Sequence, residues 1–135
     1  ALKDQKKMTE AIAAFNESLK IKPDYAEAYN NKGLTLNELG RFDEAMEAYK
    51  NALCIKPDYA EAYNNMGNVL REQGKLTKAM ESFQKALLIM PDHAEIKENL
   101  YELKTQLLET TIIYGAKEYQ FSTPNFTWNY RFGSD

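Results

Sequence analysis

The chain has 135 residues, 44% hydrophobic and 27% charged, with a formal net charge of −3, a composition that predicts one compact domain. No apolar run approaches the roughly 18 to 20 residues of a membrane span, and the opening Ala1-Leu2-Lys3-Asp4-Gln5-Lys6-Lys7 does not read as a secretory signal, so the reducing cytoplasm is the expected location, with the periplasm also compatible. A single Cys54 and a single His93 cannot form an internal disulfide or a tetrahedral Cys/His zinc site, and the acidic balance argues against a nucleic-acid footprint.

One recurrence organises the elements. Ile21-Lys22-Pro23-Asp24-Tyr25-Ala26-Glu27, Ile55-Lys56-Pro57-Asp58-Tyr59-Ala60-Glu61 and Ile89-Met90-Pro91-Asp92-His93-Ala94-Glu95 align without a gap at a 34-residue period. The same period returns Ala11, Ala45 and Ala79; Phe15, Tyr49 and Phe83; and Gly33 with Gly67.

In chain order, residues 1–25 form a partial repeat whose second helix covers about residues 7–20 and whose first helix is mostly missing. Ile12, Phe15 and Leu19 then need an upstream helix to pack on, so the chain is expected to be a fragment of a longer array. Repeats 26–59 and 60–93 follow as helical hairpins. Asp24, Asp58 and Asp92 are expected to cap the first helix of each pair, with Glu27, Glu61 and Glu95 three residues on. Gly40 and Gly74 are placed to end those helices in the left-handed conformation, and Asp43 and Thr77 to cap the second helices. Residues 94–113 open a further repeat with Leu100, but Tyr101 replaces the Gly. A single long capping helix is therefore expected, with Ile96, Leu100, Leu103 and Leu107 at helical spacing.

From Tyr114 the composition changes. Residues 114–135 carry Tyr114, Tyr119, Phe121, Phe126, Trp128, Tyr130 and Phe132, too apolar for a linker. Phe126, Trp128, Tyr130 and Phe132 alternate with Thr127, Asn129 and Arg131 as in an extended strand, and Ser122-Thr123-Pro124-Asn125 reads as a turn with Tyr119 and Phe121 on its other side. The six aromatics Tyr119, Phe121, Phe126, Trp128, Tyr130 and Phe132 are the candidate docking residues of a hairpin or strand lying on a helical surface.

At these positions the sequence resembles the tetratricopeptide repeat family. Tyr29, Gly33, Ala45, Tyr49, Ala52 and Pro57 match its pattern in one repeat, and Tyr63, Met66, Gly67, Leu70, Ala79, Phe83, Ala86 and Pro91 match it in the next. Lys32 stands where an apolar residue is usual, and Leu36 and Leu70 replace the family aromatic. The resemblance spans about residues 1–113 and implies an all-α fold, a right-handed α-solenoid of helix-turn-helix repeats, with a long C-terminal capping helix and an extended aromatic tail.

In the family's register the concave stripe falls at Glu27, Asn30, Asn31, Leu34, Asn37 and Glu38. It continues at Glu61, Asn64, Asn65, Asn68, Arg71 and Glu72, and the capping helix adds Glu95, Glu98, Asn99 and Glu102. Asn31, Asn65 and Asn99 form a row of amides able to pair with the main chain of an extended peptide, similar to the asparagine ladder in the repeat domain of O-GlcNAc transferases. The family's clamp for terminal carboxylates is missing, since Arg71 is the sole base on the stripe. Neutral or basic peptide segments are the expected partners, and acidic chaperone tails are not.

No Gly-rich phosphate loop, metal box, nucleophile elbow or acid–base pair is legible, so neither enzyme activity nor a cofactor is expected. Cys54 reads as a small packing thiol and His93 as interfacial. The leading function is a protein–protein interaction scaffold binding an extended segment in the concave groove. Two alternatives stand beside it. One is the substrate-recruiting arm of a larger enzyme such as a glycosyltransferase. The other is a self-assembly module, a homo-oligomer formed through the tail or terminal helix.

Overall fold

The computed structural model describes the backbone of residues 2–122 and the side chains of residues 2–115. Its elements in chain order are α1 (Leu2–Ile21), α2 (Ala26–Glu38), α3 (Phe42–Ile55), α4 (Ala60–Glu72), α5 (Leu76–Ile89) and α6 (Ala94–Ser122), with no strand among the described residues. By contact the chain divides into two compact units, Ala1–Leu103 and Lys104–Asp135. In the first unit α2 packs most closely on α3 and α4 on α5, while α1 meets α2 and α3 meets α4. This is an all-α solenoid of antiparallel hairpins.

Each hairpin is closed by a ring pressed into a glycine notch. A Cβ added to Gly33 would come within 2.5 Å of Tyr49 Cε1, and one added to Gly67 within 2.5 Å of Phe83 Cε1. Tyr49 and Phe83 are fully buried, as are Ala45, Ala52, Ala79 and Ala86 on the same helices. Only a residue without a side chain lets the helix backbone lie on the ring face. Tyr49 shares a cluster with Ile12, Leu36 and Val69, so it fills the space between successive hairpins as well as within its own.

Gly40 and Gly74 end α2 and α4 at φ of 76° and 79°. The following amides, Arg41 N and Lys75 N, donate to Leu36 O and Leu70 O at 2.9 and 2.8 Å, satisfying carbonyls the helices leave open. Lys6 occupies the place corresponding to Gly40, one period earlier. Without glycine the chain does not turn there, and α1 is continuous from Leu2 where the end of a first helix was expected.

The expected side-chain caps are corrected. The residues before α2, α3, α4 and α5 are Tyr25, Arg41, Tyr59 and Lys75, and none makes a side-chain cap hydrogen bond. Pro23-Asp24 and Pro57-Asp58 are instead the central pairs of turns closed by Tyr25 N→Lys22 O at 3.2 Å and Tyr59 N→Lys56 O at 3.1 Å. Proline's fixed φ suits the second turn position, and aspartate is spent there rather than at the cap. Asp43 lies in the first turn of α3, where its charge suits the helix dipole, and Thr77 lies one residue inside α5. In the third loop His93 substitutes for Tyr, and Ile96 N donates to its Nδ1 at 3.4 Å.

The last helix runs to Ser122, past the end expected at 113. Leu108 holds the place of Gly40 and Gly74, so no left-handed residue stops it, and one glycine within a helix, Gly115, costs only about 1 kcal/mol. Tyr119 and Phe121 are therefore on helical backbone rather than on one arm of a hairpin. Phe126, Trp128, Tyr130 and Phe132 lie outside the described residues. In the second unit the described side chains expose Leu108, Ile112, Ile113 and Tyr114, while the Thr110 and Thr111 hydroxyls donate to carbonyls four residues back.

Candidate functional site

The face formed by α2, α4 and the start of α6 carries the expected stripe, but its amides divide into two sets. Asn30 and Asn64 are each only 6% exposed. Asn65 Nδ2 donates to Asn30 Oδ1 at 2.9 Å, and Asn99 Nδ2 donates to Asn64 Oδ1 at 3.0 Å. Asn30 also lies against the Tyr59 phenol, whose pKa is raised by burial and by Glu27 and Glu61, an effect the polar contact with Asn30 partly offsets. Asn30 and Asn64 are thus corrected from groove lining to the joints between helices. Each is a buried acceptor matched by the amide of the next repeat, as burial of a polar group requires.

Asn65 and Asn99 remain half-buried at the edge of the groove, and Asn31 is exposed. Each joint uses one Nδ2 donor, and neither Asn65 Oδ1 nor Asn99 Oδ1 is sealed from solvent without a partner. Asn65 and Asn99 are thus held in place from behind, each with its carbonyl oxygen and second N–H outside the joint. Around the row stand the exposed carboxylates of Glu27, Glu38, Glu61, Glu72, Glu95, Glu98 and Glu102. Leu34 contributes an apolar spot, 39% exposed.

The single base of the stripe is engaged. Arg71 Nη2 donates to Asn68 Oδ1 at 3.0 Å, Nη1 approaches Glu102 Oε2 at 3.7 Å, and the guanidinium lies 5.6 Å from the Phe83 ring centre. Asn37 Nδ2 reaches Glu72 Oε1 at 3.5 Å, a long contact, while Asn37 Oδ1 is buried without a partner among the described residues. Tyr49, under the same face, has its hydroxyl buried without a partner. Burial, with Glu38 and Glu72 adding repulsion, pushes its pKa far above the ordinary phenol value.

Among the described residues no three His, Cys, Asp or Glu side chains come together to hold a metal ion. Cys54 is exposed, against the expectation of a packed thiol. Among the described residues no helix is long and apolar enough to cross a membrane.

Sequence reasoning missed the opposite side of the hairpins. There α3, α4 and α5 enclose a groove of about 470 Å³ with Met46, Met66 and Leu70 on its floor and Lys50, Lys75, Lys78 and Lys85 around it. The signal was present as a departure from the repeat, since Lys78 and Lys85 stand where Glu44 and Asn51 stand one period earlier.

A family model described as TPR repeat matches residues 1–40 and again 33–70, and one described as Tetratricopeptide repeat matches residues 60–93. No curated protein matches the chain. Among solved structures, the fold is similar to the first TPR of Spaghetti (RPAP3) bound to the HSP90 peptide SRMEEVD, with a TM-score of 0.71 at 22% identity, covering 78% of this chain and 83% of that one. It is also similar to the Arabidopsis OM64 TPR domain, with a TM-score of 0.69 at 24% identity, covering 74% of this chain and 83% of that one.

Proposed function

The chain belongs to the tetratricopeptide repeat family, and from that membership we propose that it is a protein–protein interaction scaffold whose concave groove holds an extended, neutral to basic segment of a partner. The observation that supports this reading is the row Asn31, Asn65 and Asn99, in which Asn31 is exposed and the amides of Asn65 and Asn99 are each tied by one Nδ2 bond to the helix behind, leaving their oxygens outside those joints. Amide oxygens and carboxylates accept hydrogen bonds, so the groove favours main-chain N–H groups and cationic side chains. Orientation fixed before binding lowers the entropy cost of holding a flexible segment.

The peptide bound by the RPAP3 domain, SRMEEVD, is acidic at its end. That ligand chemistry does not suit this groove, where Arg71 already faces Asn68 and Glu102 and carboxylates dominate the remainder. The scaffold reading calls for no chemistry at the site.

Asn31→Ala tests the reading cleanly, because Asn31 is exposed and its side chain joins no two repeats. A fluorescent lysine- and serine-containing extended peptide should bind the intact protein and lose several-fold in affinity to Asn31→Ala, with an unchanged melting temperature. If acidic peptides bind better than basic ones, and Asn31→Ala and Leu34→Ala leave every affinity as it was, the concave groove is not the site.

A further inference from the structure

The groove between α3 and α5 has a counterpart one period earlier, and the two differ in chemistry. The first, of about 160 Å³, is lined by Lys32, Leu36, Glu44, Glu47, Ala48 and Asn51. In the second, about 470 Å³, the same positions are Met66, Leu70, Lys78, Glu81, Ser82 and Lys85. Leu36/Leu70 and Glu47/Glu81 are kept. A charged floor residue has become Met66, an acid has become Lys78, and an amide has become Lys85.

In the first groove one rim carboxylate is already paired. Arg41 donates to both Glu44 oxygens, at 2.8 and 2.6 Å, and Arg41 beside Glu44 holds that carboxyl below its ordinary range. In the second, Arg41 is matched by Lys75 and Glu44 by Lys78, so an attractive pair is replaced by two like charges. Among the described residues Lys50, Lys75 and Lys78 make no ion pair, and Lys85 lies 5.8 Å from the Tyr63 ring centre. Two acids, Asp43 and Glu81, also line the groove, leaving four ammonium groups against two carboxylates over an apolar floor. Unpaired like charges around a methionine-lined hollow are relieved by a ligand that brings carboxylates to the rim and an apolar group to the floor. The volume lies within the roughly 300–1,000 Å³ of ordinary ligand pockets, ample for one apolar side chain.

We propose that this groove, on the face away from the concave stripe, is a second docking site, and that it takes an acidic segment of a partner protein whose apolar side chain seats on Met46, Met66 and Leu70 beneath Lys50, Lys75, Lys78 and Lys85. The scaffold would then hold two segments of opposite charge on opposite faces. This inference does not depend on the concave reading.

The probe is a short fluorescein-labelled peptide with one central leucine flanked by glutamates, followed by anisotropy with the full chain. It should bind, and binding should weaken with added salt. Replacing its leucine by serine should weaken it, and the lysine counterpart should not compete. Lys78→Glu combined with Lys85→Asn, which gives the second groove the rim of the first, should cost about tenfold or more in affinity. Met66→Lys should weaken binding separately, by removing the apolar floor. Asn31→Ala should leave this peptide's affinity unchanged, which separates failure here from failure of the concave site. The proposal is overturned if the peptide does not bind, if the rim variant binds it equally while retaining its helical melt, or if the leucine-free peptide binds as tightly. The last outcome would reduce the groove to a general cationic surface.

Discussion

The two faces of the hairpin stack use repetition in opposite ways. On the α2–α4–α6 face recurring asparagines are joined across the repeats, Asn65 to Asn30 and Asn99 to Asn64. In the grooves on the other side the positions that change, Lys32 to Met66 on the first helices and Glu44 to Lys78 and Asn51 to Lys85 on the second, turn a small groove of mixed charge into a larger one rimmed by lysines. A contact between successive repeats must be made again at every joint, so its residues recur. A contact with a partner need be made only once. Recurrence thus serves construction at the Asn30–Asn65 and Asn64–Asn99 joints, while departure from it sets the second groove apart from the first.

The largest expected effect tests construction at the glycine notches. Gly67→Ala improves helix propensity by about 1 kcal/mol, yet sets a methyl group 2.5 Å from the Phe83 ring, an overlap costing about 3 kcal/mol or more, so a net loss of about 2 kcal/mol or more should appear in chemical unfolding. A gain in stability would show that the ring moves aside and that the notch is not structural. Next comes the amide joint. Asn64→Ala should lower stability by about 1–2 kcal/mol by stranding the Asn99 amide, whereas Asn31→Ala should leave it within about 0.5 kcal/mol of the parent. Equal losses from the two would erase the distinction between joint and groove.

Tyr49→Phe should raise stability by about 1 kcal/mol, because the phenol oxygen is buried without a partner and Phe83 already fills the corresponding place. It should also flatten the alkaline limb of the stability profile. The folded pKa of Tyr49 lies above its ordinary value of 10.0, so its contribution is complete below that pH and is lost as pH rises beyond it. Tyr59, also raised by burial, leaves a residual alkaline loss in the variant. An unchanged pH profile would mean the hydroxyl reaches water. The smallest expected effect is that of Lys78→Glu on folding, within about 0.5 kcal/mol, since this exposed rim charge supports no internal contact.

Much of the fold was legible because it depends on residues close in sequence. The 34-residue spacing, Gly40 and Gly74 at left-handed positions and small residues opposite Tyr49 and Phe83 all follow from local sterics. Where local reasoning failed, another local solution won. Asp24 and Asp58 went into proline turns instead of caps, and Lys6 and Leu108, lacking glycine's freedom, let α1 and α6 run on. The candidate site was less legible. Periodicity put Asn30, Asn31, Asn64 and Asn65 together on one stripe without separating those that face inward from those that face the groove.

The repeat spacing and its glycines were enough to specify a tetratricopeptide hairpin array and its left-handed helix ends, since backbone conformation at Gly is a matter of a few neighbouring residues. That Asn30 and Asn64 are joints, that Arg71 is occupied, and that Met66, Lys78 and Lys85 meet around one hollow followed from the packing of the helices. Those assignments rest on partners supplied by other helices, such as Asn65 for Asn30 and Glu102 for Arg71. Burial and pairing are properties of that assembled neighbourhood, and a pattern along one chain does not contain them.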